Sequence, residues 1–133
     1  MTEIIPGKSI GNISFAMQKR DVLEHIGDYT IKREKESLIV VGKEIMVWFS
    51  RSNGTIEQIL AYNGYQGKFK GVQVIGSTLS ELKKVTGCEW YENLDCYYFK
   101  GISGIGFELS DTYEGDDYNP ELIPIETVFV TQG

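Results

Sequence analysis

Histidine occurs once, cysteine twice and proline three times in 133 residues, and each scarcity narrows the chemistry. With His25 as the lone imidazole, any Ser-His-Asp or Cys-His set has to use it, and no Gly-x-Ser-x-Gly elbow accompanies it. His25 falls late in a candidate helix, where it complements the negative end of the helix dipole. Cys88 and Cys96 are seven residues apart rather than two, so they lack the Cys-x-x-Cys spacing of zinc and redox sites. Both are expected to be reduced thiols packing as small hydrophobes. No apolar run approaches the roughly 20 residues of a membrane-spanning helix. The opening Met1-Thr2-Glu3-Ile4-Ile5-Pro6-Gly7-Lys8 has neither the basic nor the apolar region of a secretion signal. These absences predict a cytoplasmic protein that is not an enzyme and holds no metal or cofactor.

Glycine, by contrast, is abundant at 15 residues, which with so little proline favours many tight turns and short strands. Hydrophobic content of 41% and the length suit one domain over residues 1–133. Thr78-Leu79-Ser80-Glu81 reads as a capping box, with Leu79, Leu82 and Val85 on one helical face and Gly87 as the stop. A weaker helix follows Gln18, carries Val22 and Ile26, and ends at Gly27. Strand-like runs follow each helix: Tyr29–Arg33, Ser37–Val41, Glu44–Arg51 and Thr55–Tyr62, then Cys88–Glu92, Cys96–Lys100, Ile105–Leu109 and Ile123–Val130. In Glu44–Arg51, Ile45, Val47 and Phe49 share one face, and Met46 and Trp48 the other. Pro120 and Pro124 place the last strand at a sheet edge or delay its start. The glycine clusters Gly64–Gly67 and Gly101–Gly106 are turns or bulges, since no helix follows to cradle a phosphate.

The pattern predicts an α+β fold, an antiparallel sheet with two short helices. It is arranged as a tandem α-β4 pseudo-repeat, about 1–64 and 65–133. Residues 10–27 lie over residues 70–87 at an offset of 60, with Gly11 on Gly71, Phe15 on Ile75, Ala16 on Gly76 and Gly27 on Gly87.

Charge divides the chain unequally. Residues 87–133 hold ten Asp or Glu and one basic residue, a balance of −9, whereas residues 1–86 hold nine acids and twelve Lys or Arg, a balance of +3. A one-sided acidic field attracts basic proteins and repels nucleic acid. Lys32, Arg33 and Lys35 form the competing basic group, interrupted by Glu34 and Glu36. Within the acidic third, Asp111, Glu114, Asp116, Asp117 and Glu121 alternate with Tyr113 and Tyr118, and Trp90 stands between Glu89 and Glu92. Tyrosine and tryptophan are rigid contact residues of protein interfaces, and neighbouring carboxylates steer a basic partner. These ten residues are the candidate partner-binding set. The segment Asp111–Asn119 departs from the EF-hand pattern, because its Gly and distal Glu are out of place. Two other classes compete: a small-ligand or metal-binding protein using the clustered carboxylates, and a module that self-associates through a sheet edge near Glu44–Arg51.

The Gly11–Gly27 segment, with Ile13-Ser14-Phe15-Ala16-Met17 before a helix and Ile26-Gly27 after it, resembles a short helix module of bacterial helix-plus-sheet proteins. These are the SmpA-type assembly lipoproteins and the β-lactamase inhibitory proteins, whose pattern is Gly-Met-Thr before the helix and Leu-Gly after it. The duplicated helix-and-sheet layout is similar to the inhibitory proteins. Size, acidity and aromatic-rich acidic segments also resemble the immunity proteins of bacterial toxin systems, including contact-dependent growth inhibition. That resemblance implies a cytoplasmic antitoxin that plugs the basic active-site region of a toxin nuclease, with no nucleic acid or membrane as partner.

Overall fold

The computed structural model describes residues 3–110 and 119–132. Strands β1 (Ile4–Ile5), β2 (Ser9–Ile10) and β3 (Ile13–Ser14) form a small sheet ahead of helix α1 (Lys19–Ile26). Strands β4 (Thr30–Arg33), β5 (Ser37–Val41), β6 (Ile45–Ser50) and β7 (Ile56–Ala61) follow. A hairpin of β8 (Lys68–Phe69) and β9 (Val72–Gln73) leads to α2 (Leu79–Thr86). Then come β10 (Trp90–Asn93), β11 (Cys96–Phe99), β12 (Ile105–Leu109), a 3-10 turn at Pro120–Leu122, and β13 (Ile125–Thr131). The fold is α+β. One eight-stranded sheet runs β10-β11-β12-β13-β7-β6-β5-β4, antiparallel throughout.

The duplication is legible in the registers. Helices α1 and α2 each span eight residues and start 60 positions apart, and β4 and β10 each span four at the same offset. A register shift falls between Trp48 and Phe49 in β6 and, 60 residues later, between Glu108 and Leu109 in β12. A bulge kept at one place in both halves fixes the same local twist twice. The leading hairpins align differently from the expected offset. Ile10 pairs Ile13 and Phe69 pairs Val72, so the offset there is 59, and Gly11 corresponds to Lys70 rather than Gly71. Lys70 and Gly71 both take positive φ, 51° and 82°, so the turn tolerates the slip.

The halves differ most after the bulge. Phe49 pairs Ile56 across six intervening residues, and Leu109 pairs Ile125 across fifteen. The second repeat therefore holds nine extra residues at this point, and they include the densest acids of the chain.

The core lies on the helix-bearing face of the sheet. Val22 of α1 and Leu79 and Leu82 of α2 are fully buried against Val47, Ile59, Phe107 and Val128. Ile4, Ile10, Ile13 and Phe69 bring the small hairpins onto the same face. The expected alternation in β6 holds: Val47 and Phe49 are buried there, and Met46 and Trp48 point the other way. Of the two readings of Pro120 and Pro124, the late start holds: the last strand begins after Pro124 and lies between β12 and β7. One expectation is corrected. Strand β6 lies between β5 and β7, so its backbone groups are spent on both neighbours and no edge remains near Glu44–Arg51 for self-association. The open edges are β4 and β10. All four residues of β4 are exposed, and charged edge residues of this kind discourage sheet-to-sheet pairing.

The capping box of α2 is present as read: Thr78 Oγ1 accepts from the Glu81 N–H at 3.2 Å, and Glu81 Oε1 accepts from the Thr78 N–H at 3.2 Å. Helix α1 starts more weakly, its Asp21 carboxylate accepting from the Gln18 N–H at 3.4 Å. Thr78→Ala is expected to cost about 1 kcal/mol, the usual loss for an N-cap hydroxyl. Urea unfolding should show a lower midpoint at constant slope, and an unchanged midpoint would mean that packing alone holds α2.

Candidate functional site

Since the described helices and hairpins contribute to the core on one face, none is left to cover the other. Cross-strand partners define that outer face. Tyr91 stands opposite Tyr98, Gly106 opposite Phe129, Phe129 opposite Leu60, Leu60 opposite Met46, and Met46 opposite Val41. A second row takes Gln58, Trp48 and Ile39. None of these side chains belongs to the core cluster.

The second-repeat half of this face is an aromatic plate. Tyr91 and Tyr98 stack at 5.6 Å, and Tyr98 meets Phe129 edge-on at 6.1 Å. Gly106 makes this possible, because a Cβ there would come within 2.3 Å of the Phe129 ring and 2.9 Å of the Tyr98 ring. The rings thus lie directly on the backbone of β12. Tyr91 stays 43% exposed and Phe129 only 9%, so the plate has a buried floor and an accessible outer part.

Carboxylates border the plate. Burial raises the Tyr98 hydroxyl pKa, and Cys96, Tyr91 and Glu108 push it the same way. The Cys96 thiol is raised by burial and then by Glu108 and Asp95, with the Tyr98 hydrogen bond opposing. Nucleophilic attack needs the thiolate, so Cys96 in this acidic setting is a poor nucleophile. Cys88 and Cys96 are both free. Among the described residues no three His, Cys, Asp or Glu side chains converge as a metal site.

The ten residues singled out from sequence fall in different places. Asp111, Tyr113, Glu114, Asp116, Asp117 and Tyr118 lie outside the described residues. Trp90 and Glu92 face the helix side with their partners Phe99 and Tyr97. The Trp90 ring packs edge-on to Tyr97 at 5.6 Å, and its Nε1–H donates to Glu121 Oε1 at 3.0 Å. Trp90 and Glu121 thereby tie the 3-10 turn to the sheet. The Tyr97 hydroxyl donates to Glu92 at 3.4 Å, and Glu89 pairs with Lys83 at 3.5 Å in an exposed contact. Glu89 and Glu92 remain exposed on the rim beside edge strand β10.

The sequence sets Tyr91 and Tyr98 among acids, but their joining with Phe129 as an outer plate was not singled out from it. Its signal was there in β6, which is apolar on both faces as Ile45, Met46, Val47, Trp48 and Phe49. A strand in a sheet covered on one side alternates apolar with polar, so apolar residues on both faces point to a second contact surface. No protein family, curated protein or solved structure matches this chain.

Proposed function

We propose that this protein is an immunity-type inhibitor that binds a basic toxin, a nuclease effector, and neutralises it. One observation carries the reading: the aromatic plate of Tyr91, Tyr98 and Phe129 lies within residues 87–133, the stretch that holds the −9 charge balance. Acids steer a basic partner into rapid encounter, and desolvated aromatic side chains slow its release. The nine-residue insertion adds Asp111, Glu114, Asp116 and Asp117 to that stretch, where the first repeat has the short turn Ser50–Thr55. A stable complex of this kind buries about 800 Å² on each partner, more than the plate alone provides. The plate, the acidic insertion and the β10 rim act together in this reading.

The test begins with a tagged pull-down from the source cells, washed at rising salt, followed by rescue from toxicity with the identified partner. Reversing charge at Asp111, Glu114, Asp116 and Asp117 to Lys is expected to slow association by about tenfold or more and flatten its salt dependence. Dissociation should change little. Stopped-flow association at low and high salt reads both quantities, and identical rates for the variant would remove the insertion from the interface.

A further inference from the structure

A cleft of about 460 Å³ opens where the C-terminal end of α1, the β2–β3 turn and the β5–β6 turn meet. Its floor is apolar, made by Ile10, Ile13, Ile26 and Ile45. Its rim is polar, carrying Asn12, His25, Lys43, Glu44 and Tyr65. The volume is within the range of small-molecule sites, which pair apolar walls with a few placed polar groups.

The rim is built rather than loose. The Tyr62 hydroxyl donates to the Gly42 carbonyl, the Tyr62 N–H to the Glu44 carbonyl at 2.9 Å, and Asn63 Nδ2 to the Lys43 carbonyl at 2.9 Å. Gly42 has no room for a side chain, since a Cβ would come within 2.7 Å of Ile26 Cγ2. Gly67 makes space for the Tyr65 ring in the same way, at 2.5 Å. These bonds to backbone carbonyls hold the turn, while the side chains of Asn12, His25, Lys43 and Glu44 and the Tyr65 hydroxyl make no hydrogen bond or ion pair with another described residue. The Glu44 charge reaches into the cleft: burial, and after it Glu44, raises the Tyr65 pKa.

The second repeat supplies an internal control. Its helix and strand positions 60 residues later put Val85 where α1 has His25 and Ile102 where the β5–β6 turn has Gly42. A second cleft beside Ile102, of about 410 Å³, is lined by Ile4, Ile5, Pro6 and Phe69, with Glu3 and Lys70 the charged residues. The polar rim at the end of α1 is thus particular to the first repeat and is not required by the shared architecture.

We propose that the cleft binds a zwitterionic α-amino acid with an apolar or aromatic side chain. The side chain lies on the isoleucine floor. The ammonium pairs with Glu44, and the carboxylate with Lys43 and the donors of Asn12 and Tyr65. Adjacent residues of opposite charge over an apolar floor match a molecule with both charges at one end and a hydrophobic body at the other.

The probe is L-phenylalanine, titrated to about 10 mM, the weak limit of small-molecule affinity, with amide chemical shifts as readout. Two analogues accompany it: 2-phenylethylamine, which lacks the carboxylate, and 3-phenylpropanoate, which lacks the amine. Shifts confined to residues 10–13, 25–26, 42–45 and 65, with each analogue about tenfold weaker or worse, are the expected result. Glu44→Gln should weaken phenylalanine about tenfold and leave 3-phenylpropanoate unchanged, and Lys43→Gln should weaken phenylalanine by a similar factor and leave 2-phenylethylamine unchanged. No shifts by the end of the titration, shifts elsewhere on the protein, or equal binding of all three molecules would overturn the proposal.

Discussion

Phe107→Ala is expected to lower stability by about 3–5 kcal/mol, the cost of emptying a phenylalanine site that cannot collapse. Phe107 is fully buried in the middle of β12, packed edge-on against Phe99 at 5.3 Å, and its neighbours across the sheet are Tyr97 and Val128. Strand backbones on both sides hold those neighbours in place, so the cavity persists. A domain of this size has about 5–15 kcal/mol in total, and the loss should lower the melting temperature by about 10–20 °C. Leu122→Ala is the matched control. That side chain is 66% exposed, and its loss should move stability by less than about 0.5 kcal/mol. Calorimetry on both variants separates the cases. A Phe107 variant that melts with the wild type would mean that β12 is not the centre of the core.

The second large effect is on partner binding. Removing both rings in Tyr91→Ala with Tyr98→Ala should weaken the toxin complex by about 30-fold or more, the scale of a central aromatic hot spot. The loss should appear in dissociation, because the substitution leaves every charge in place. Trp48→Ala, on the same face but in the first repeat, should cost less than about fivefold. The contrast rests on charge, since the second half of the face is bordered by Glu108 and Asp95 and the first half lies in the repeat whose acids and bases balance to zero. Surface resonance with the identified partner reads both rates. A larger effect at Trp48 than at the tyrosine pair would move the docking site to the first repeat and sink the electrostatic argument for its position. Together with the charge-reversed insertion, whose effect is expected in association, the pair gives two orthogonal kinetic signatures for one interface.

Much of this molecule is written locally. The Thr78 box, the stop at Gly87 and the alternation of Val47 and Phe49 against Met46 and Trp48 each depend on hydrogen bonds or dihedral preferences within a few residues. The duplication is local in the same sense, since each copy nucleates the same helix and meander from similar spacing, and the 60-residue offset is visible before any contact is known. Long-range pairing is different. That β13 lies beside β7 and closes two meanders into one sheet is decided by Val128 against Ala61 and Val130 against Ile59, residues nearly 70 positions apart. Many registers compete for such strands, and burial of the whole set selects one. The same holds for Trp90, which sequence composition places among contact residues and tertiary structure ties to Glu121, 31 residues away. The open aromatic plate and the polar cleft also exist only once the sheet is assembled. Gly106 and Gly42 matter there for the space they leave under Phe129 and beside Ile26, and that space is created by side chains from distant strands and helices. Sequence alone determined the two helices, the eight strands of the large sheet, the repeat and the sign of the charge, while the short strands β1–β3, β8 and β9 came only with the tertiary structure. Tertiary structure decided which faces those elements leave for binding, because a surface is what remains after every buried contact has chosen its partner.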